Sequence, residues 1–212
     1  DIKHIMANTG AIVDADNETV LEFNETNITM HDWITNSAGY SHHNWFGFGK
    51  LDIKAGIEFA RTMTPNNLGS FITYELIDAD SIDPNWVMNI ADQINTDTIT
   101  VSANASSNGK IEWTVLRLWF DWPYIRDIGV RLTSPDGTTI NAKYPYSAQT
   151  GNPKDLATDE TSDDYYVDVG IAGFYGENIA GDWTIEVINW ESDNSSNTTG
   201  TLDNWGLIFY GN

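Results

Sequence analysis

The sequence predicts a mainly β protein: an antiparallel β-sandwich, jelly-roll-like in its strand pattern, preceded by a short segment that contains α-helices. After Gly69, short runs of β-branched and aromatic residues recur between clusters of turn residues, which is typical of a sandwich or jelly roll. Before Met63, two stretches instead repeat their apolar residues with a helical period. We therefore divide the chain into a first part (residues 1–63), a linker (64–69) and a β part (70–212).

Helices are predicted only in the first part. In DIKHIMANTG, the side chains of Ile2, Ile5 and Met6 share one helical face, and Gly10 would end the helix. In LDIKAGIEFARTM, the apolar residues follow a similar spacing after Asp52, a residue type that often caps a helix N-terminus. The linker contains proline and glycine, and it interrupts this pattern.

Strands are predicted from alternating polarity in the β part. Ile128, Val130 and Leu132 share one face of a strand, while polar residues and glycine occupy the other. The turn that follows contains Pro135, which fixes φ, and Gly137, which permits a positive φ. The predicted strands are FITYELI, DTITV, IEWTVLRLWF, DIGVRLT, DWTIEVINW and NWGLIFY.

The strand at residues 111–120 is unusual because it is apolar on both faces, and such a strand must be covered on both sides. One row contains Leu116, Leu118 and Phe120; the other contains Trp113, Val115 and Trp119, interrupted by Arg117. Two interpretations remain open. The second row could lie under a loop or another sheet, or it could form a docking or ligand surface.

Composition excludes several classes of protein. The 212 residues carry 31 acidic and 10 basic side chains, a formal charge of −21, so we expect neither nucleic acid nor an anionic membrane surface as a partner. There is no cysteine, which excludes disulfides, thiolate zinc sites and cysteine nucleophiles. Hydrophobic residues make up 41% of the chain, too many for a wholly disordered protein.

Three spaced motifs in the β part resemble the P domain that follows the catalytic domain of kexin- and furin-like subtilisin-type serine proteases. Residues 126–138 are similar to the family's "gDL…L.SP.GT" pattern, residues 175–184 to "wGE…G.W", and residues 200–211 to "GTL..W.L...G". The resemblance covers residues 98 to 212, and it implies a β-sandwich.

The first part resembles the last stretch of the catalytic domain in the same proteases, a subtilisin-like α/β domain. Residues 1–5 are similar to the helix "WRDVKHIL", residues 32–39 to "DW.TN.AG", and residues 46–52 to "YGFGl.DA". The family's nucleophilic serine lies upstream, in a Gly-Thr-Ser sequence that this chain lacks. The resemblance therefore implies the C-terminal piece of a protease, without the triad that acyl transfer requires, and inactive on its own.

The resemblance also implies a function. The parent enzyme would be a secreted bacterial endopeptidase that cleaves peptide or protein substrates after basic residues. The P domain would dock on the chain's own catalytic domain and stabilise it. If the rest of that domain were missing, helix faces in the first part would be partly uncovered. The alternative is a Trp-rich sandwich that binds polysaccharide or the protein substrate; an independent hydrolase is a third possibility.

Two groups of apolar side chains are candidates for the contact between domains. The row on strand 111–120 is the first group, and an aromatic cluster before the linker is the second. A carbohydrate platform could use the rings of the cluster, but its glycine-rich setting favours packing between the two parts. The candidate contact residues are Trp113, Val115, Trp119, Trp33, Trp45, Phe46 and Phe48.

Acidic clusters suggest calcium, which the family uses and which prefers several oxygen ligands. The alternative for each cluster is a solvated loop. The candidate ligands are Asp14 and Asp16 in one cluster, Asp159, Asp163 and Asp164 in a second, and Asp78, Asp80 and Asp83 in a third. His42 and His43 could also bind a metal, but no Glu-X-X-His spacing supports this, and a solvated or hydrogen-bonded core position is favoured.

Overall fold

The computed structural model describes residues 1–23, 26–64, 68–78, 87–88, 94–103, 109–121, 128–145, 166–189 and 200–212. The elements of the first part are α1 Ile2–Thr9, β1 Thr19–Phe23, β2 Thr26–His31, β3 Ile34–Thr35, β4 Ser41–His42 and α2 Ile53–Thr62. Those of the β part are β5 Ile72–Asp78, β6 Val87–Met88, β7 Ile94–Val101, β8 Ile111–Asp121, β9 Ile128–Thr133, β10 Thr139–Lys143, β11 Val167–Ile171, β12 Gly181–Asn189 and β13 Gly200–Gly211.

The two predicted helices of the first part are present. In α2, the carboxylate of Asp52 accepts a hydrogen bond from the Ala55 amide at 2.9 Å, so the predicted cap is in place. Helix α1 ends at Gly10, where the backbone approaches Phe48 so closely that a Cβ would lie 2.0 Å from the Phe48 carbonyl oxygen. The small antiparallel pairs β1–β2 and β3–β4 were not predicted, because polar residues obscure their alternation.

Two antiparallel sheets form the sandwich. One has the strand order β10-β9-β12-β7, and the other has the order β11-β8-β13-β5, with β6 also paired to β13. The predicted turn joins β9 to β10: Gly137 has a φ of 94°, and the Ser134 amide donates to the Thr138 carbonyl at 2.9 Å. The prediction of a mainly β antiparallel sandwich is confirmed; jelly-roll-like connectivity stays a prediction.

The core lies between the two sheets. On β8, Leu116, Leu118 and Phe120 are completely buried. They share one core cluster with two equally buried rings: Trp183 of β12, in the opposite sheet, and Trp205 of β13, the strand next to β8. Each such side chain contributes about 1.5–3 kcal/mol through removal of apolar surface from water. The second row of β8 lies on the outer face of its sheet, where Trp113 is 37% exposed and Val115 and Trp119 are partly exposed.

The first part packs against one end of this sandwich. The contact involves the turn after β9 and the loop between β11 and β12. Within the described ranges, no helix is both long and apolar enough to cross a bilayer. The division at residues 64–69 stays a prediction.

Candidate functional site

The contact between the two parts begins with the turn after β3. Asn36 is 3% exposed, and its side-chain oxygen accepts hydrogen bonds from the amides of Ala38 (3.1 Å) and Tyr40 (2.9 Å). Asparagine readily supplies such a local side-chain bond in turns. Its amide nitrogen donates across the contact to the carbonyl oxygens of Gly173 (3.0 Å) and Tyr175 (2.8 Å). One buried side chain thus shapes the turn and fastens it to the sandwich.

The next residue, Ser37, binds the β9–β10 turn and the loop before β12. Its amide donates to the hydroxyl of Thr138 at 2.9 Å and to a carboxylate oxygen of Glu177 at 3.0 Å. Its own hydroxyl donates to the Asp136 carbonyl at 2.7 Å. We call Asn36, Ser37, Ser134, Thr138 and Glu177 the polar clasp.

Glu177 is the centre of the polar clasp. It is 1% exposed, and its carboxylate accepts hydrogen bonds from the hydroxyls of Ser134 and Thr138 as well as from the Ser37 amide. None of the ion pairs among the described residues includes it. A buried carboxylate without a cation depends on its hydrogen bonds, so these donors belong to the site and hold the two parts in register.

An aromatic layer lies beside the polar clasp, with Tyr175 at its centre. The ring of Tyr40 meets it edge-on at 4.9 Å and that of Phe48 at 5.5 Å. The Tyr175 hydroxyl lies 3.1 Å from Nδ1 of His4 in α1. Burial raises the pKa of Tyr175 well above its usual value, with Glu112 and Tyr40 adding to the effect, so the phenol is neutral at pH 7.

Weaker polar contacts complete the rim. The ammonium group of Lys3 lies 3.6 Å from the Glu112 carboxylate and 5.9 Å from the ring centroid of Trp113. On the other side, the Asn44 amide donates to the Asn141 carbonyl at 3.0 Å and to the hydroxyl of Tyr144. Partly exposed ion pairs contribute little to stability, so the polar clasp and the aromatic layer dominate the contact.

The structure brings only some of the predicted contact residues to this site. Phe48 lies in the aromatic layer. Trp113 lies at the rim, where the ammonium group of Lys3 is close to its ring. Trp33 and Phe46 pack on His43 within the first part, at centroid distances of 5.4 and 4.7 Å. Trp45 is 58% exposed.

Val115 and Trp119 occupy the outer face of the sheet, away from the polar clasp. There Trp119 lies 5.8 Å from the ring of Tyr166, and the guanidinium of Arg117 lies 3.7 Å above that ring while pairing with Asp168. Their predicted role in interdomain contact stays a prediction.

Sequence reasoning missed Asn36, Ser37, Tyr175 and Glu177 as contact residues. A signal was available, because all four belong to the strings 32–39 and 175–184 that carry the family resemblance. Both strings contain small and polar residues rather than a large apolar row. Large apolar side chains in the sequence therefore do not mark the residues that make the contact.

His42 of β4 and His43, the residue after it, are both buried, so neither is the solvated histidine that was one of the two favoured interpretations. His42 is 6% exposed and His43 is fully buried. Burial, together with a smaller effect of the neighbouring His43, lowers the pKa of His42 to about 4. His42 is therefore neutral at pH 7, and its Nδ1 has no hydrogen-bond partner.

The calcium prediction receives no support from the described part of the chain. Asp14 and Asp16 are exposed, and the Asp14 carboxylate accepts a hydrogen bond from the Asn17 side chain at 3.0 Å. Asp159, Asp163 and Asp164 lie outside the described residues, as do Asp80 and Asp83. Among the residues that the structure describes, no three acidic or histidine side chains are grouped as metal ligands. Calcium binding stays a prediction.

Comparison with known families decides the identity of the β part. Residues 111–209 match the family model described as "Proprotein convertase P-domain". Residues 111–209 belong to a proprotein convertase P domain. The resemblance predicted from the three motifs is confirmed, and β8 through β13 form the matched region of the P domain.

Curated relatives are similar to the P domain and to part of the segment before it. Proprotein convertase subtilisin/kexin type 5 of Rattus norvegicus is 25% identical over 194 residues, covering 87% of this chain and 10% of that protein. Furin-1 of Xenopus laevis is 24% identical over 188 residues, covering 89% of this chain and 22% of that protein. The chain thus spans between a tenth and a quarter of the length of these relatives.

Solved structures share the fold of the P domain and of the first part. The serine protease of Aeromonas sobria superimposes with a TM-score of 0.77 at 18% identity, covering 100% of this chain and 40% of that one. The same protease in complex with a chaperone gives a TM-score of 0.76 at 17% identity, covering 99% of this chain and 39% of that one. The arrangement of helices, hairpins and sandwich therefore occurs in a solved protease.

Proposed function

We propose that this chain is the C-terminal part of a secreted kexin-like serine endopeptidase, in which the P domain docks on the catalytic domain and stabilises it. The observation that carries the proposal is the polar clasp. A segment similar to the end of the catalytic domain places Asn36 and the Ser37 amide directly on carbonyl and carboxylate oxygens of the P domain. The P domain thus acts on the protease by holding the last segment of its catalytic domain.

The surface of the first part supports the same proposal. Several of its large apolar side chains project into solvent on or near the two helices. Several large apolar side chains exposed within one segment favour an interaction site, and we assign them to the remainder of the catalytic domain. The side chains are Ile2 (76% exposed), Met6 (46%), Ile12 (51%), Leu51 (54%), Ile53 (66%) and Ile57 (52%).

The proposed whole enzyme cleaves peptide bonds by acyl transfer, with a triad contributed by residues upstream of this segment. The residues of the polar clasp would act structurally, by holding the two parts together, because they do not form the nucleophile and base of a catalytic triad. We further propose cleavage after basic residues, because a chain of charge −21 attracts basic peptides. Labelling of this chain alone with an active-site serine reagent should give no product.

The test compares the whole protease with a version that ends at residue 69. We expect loss of the P domain to lower the melting temperature of the catalytic domain by several degrees, and to speed its thermal inactivation. An unchanged melting temperature would contradict the stabilising role. A protease that ends at residue 199, and so loses only β13, should behave like the shorter version, because β13 pairs with both β8 and β5.

A second candidate function is favoured by one observation. The outer face of β8 and β11 keeps Trp113, Trp119 and Tyr166 partly exposed, and exposed aromatic rings favour a binding module. Pulldown of the chain by insoluble polysaccharides would test this candidate. Docking alone predicts no retention on any of them.

A further inference from the structure

One apolar surface of the P domain lies outside the polar clasp. It crosses the outer face of the sheet β11-β8-β13-β5 near the start of β8, and it consists of Trp113, Tyr210 and Phe71, which we call the aromatic strip. Trp113 of β8 lies directly opposite Tyr210 of β13, and residues opposite each other in an antiparallel pair project to the same face. The ring of Phe71, just before β5, stacks on that of Tyr210 at a centroid distance of 6.3 Å.

The aromatic strip is exposed to solvent in this chain. Phe71 is 65% exposed and Trp113 is 37% exposed, and Tyr210 is partly exposed. The next pair along the same two strands, Val115 opposite Ile208, is better covered, since Ile208 is 5% exposed. Adjacent exposed aromatic rings of this kind favour an interaction site.

Aromatic rings at the other end of the same face are engaged differently. Trp119 lies 5.8 Å from the ring of Tyr166, and the guanidinium of Arg117 lies 3.7 Å above that ring. Arg117 in turn donates two hydrogen bonds to the carboxylate of Asp168. These side chains contact one another around a charged pair, so this end differs from the neutral aromatic strip.

The aromatic strip continues the contact between the first part and the P domain. The ammonium group of Lys3 in α1 lies 5.9 Å from the ring centroid of Trp113. Leu68 lines a cavity of about 240 Å³ together with His4 of α1, and Phe71 follows Leu68 closely in the chain. The strip is therefore adjacent, through both Trp113 and Phe71, to the contact that already joins the two parts.

The neighbouring surface of α1 points to a single partner. Ile2, next to Lys3, is 76% exposed, and Met6, on the same helical face as Ile2, is 46% exposed. The proposed function assigns this surface to the remainder of the catalytic domain. A body that covers Ile2 lies beside Lys3 and hence beside the ring of Trp113. A second copy of this chain is disfavoured, because each copy carries a charge of −21 and like charges oppose association.

We propose that the upstream remainder of the catalytic domain covers the aromatic strip, so that an apolar contact holds the P domain in addition to the polar clasp. This inference rests on the proposed function, because it requires this chain to be part of such a protease. The covering surface is apolar and uncharged opposite Phe71 and Tyr210, since a charge there would be desolvated without a partner. Lys3 and Glu112, paired at 3.6 Å, form a polar rim at the Trp113 end.

Hydroxyl-radical footprinting of the whole protease tests the proposal, because the oxidation rate of a side chain follows its exposure to solvent. Trp119, on the same face, is the internal reference for Trp113. In this chain Trp113 is the more exposed of the two, so slower oxidation of Trp113 requires a cover from outside the chain. We expect Trp113 to be oxidised at least ~5-fold more slowly than Trp119, since the centre of a protein interface excludes water.

A variant of the whole protease checks that the strip itself is the contact. Phe71→Asp places a charge in the aromatic strip and should raise the oxidation rate of Trp113 several-fold. The control Ile94→Asp changes a side chain that is 42% exposed on β7 of the other sheet, and it should leave that rate unchanged. Continued protection of Trp113 in Phe71→Asp would overturn the proposal.

Three results with the unmodified protease would also overturn it. The first is oxidation of Trp113 as fast as that of Trp119. The second is protection that is lost on dilution, which would indicate a second copy, and the third is protection that appears only with added polysaccharide, which would indicate a glycan. The stabilising role of the P domain is tested separately by truncation after residue 69. If that truncation leaves the melting temperature unchanged, the stabilising role fails, whereas the oxidation rate of Trp113 still decides whether the strip is covered.

Discussion

The first part and the P domain differ sharply in how they bury apolar surface. Among the described side chains of the first part, Ala7 is the only hydrophobic one that is buried. The sandwich instead buries a continuous cluster that includes Trp183, Trp205 and Phe209. The P domain therefore has a core of its own. The first part depends on contacts outside itself, namely the polar clasp and the partner proposed for its exposed helices.

The largest effect is expected in the sandwich core. Leu118→Ala should destabilise the P domain by about 3–4 kcal/mol, because it removes completely buried methyl groups and leaves a cavity between the sheets. The matched change in the first part, Ile57→Ala, should cost less than about 0.5 kcal/mol, since that side chain is 52% exposed. Urea unfolding followed by tryptophan fluorescence measures both. Equal effects would contradict the contrast between the parts.

His42 should make the stability of the first part depend on pH. The pKa of His42 is about 4 in the folded chain, below its ordinary value of 6.5. Above pH 6.5 neither state binds the proton, so there is no penalty. As the pH falls from about 6.5 to about 4, the unfolded imidazole gains a proton that the folded one excludes, and up to about 3 kcal/mol of stability is lost.

Thermal melts at pH 7.5 and pH 4.5 measure this loss. His42→Gln should flatten the pH dependence, whatever its effect on stability at pH 7.5. A variant that keeps the full slope would show that other groups cause the acid sensitivity.

Next in size is the effect of the polar clasp. Asn36→Ala should destabilise the attachment of the first part by about 2–3 kcal/mol, because it removes four hydrogen bonds and leaves the carbonyls of Gly173 and Tyr175 without this donor. Hydrogen exchange of the amides of residues 36–40 reports the loss. The control Asn8→Ala lies on the exposed side of α1 and should leave those amides unchanged. Faster exchange throughout the sandwich would mean that the two parts unfold as one.

The smallest effect concerns helix α2 alone. Asp52→Ala removes the bond to the Ala55 amide and should cost about 1 kcal/mol, which raises hydrogen exchange in α2 about fivefold. Asp32→Ala changes an exposed carboxylate that caps no helix and serves as the control. An effect as large as that of Asn36→Ala would mean that the Asp52 cap also supports the contact between the two parts, and would contradict its purely local role.

Local patterns predicted most of the P domain. The alternation of Ile128, Val130 and Leu132 and the turn containing Pro135 and Gly137 are properties of neighbouring residues, and the structure contains both as expected. The sandwich itself could be predicted because the sequence contains many such strands, and each must bury one of its faces.

The candidate site was harder to predict, because it is held by bonds between residues far apart in the chain. Ser37 and Glu177 are separated by 140 positions, and nothing near either residue in the sequence indicates the other. A glutamate beside a glycine ordinarily predicts a solvated loop, and only the fold surrounds Glu177 with Ser134 and Thr138. His42 is similar, because it lies beside Gly173 of the P domain, far from it in the sequence, as well as against Phe48.

The most direct test of the central claim is the thermal inactivation of the whole protease carrying Glu177→Ala. This change leaves the hydroxyls of Ser134 and Thr138 and the amide of Ser37 without their buried acceptor, a loss of about 2–3 kcal/mol. If the P domain stabilises the catalytic domain through the polar clasp, the temperature of half-inactivation falls by several degrees, while the exposed control Glu58→Ala matches the parent enzyme. An unchanged inactivation temperature for Glu177→Ala would contradict the account.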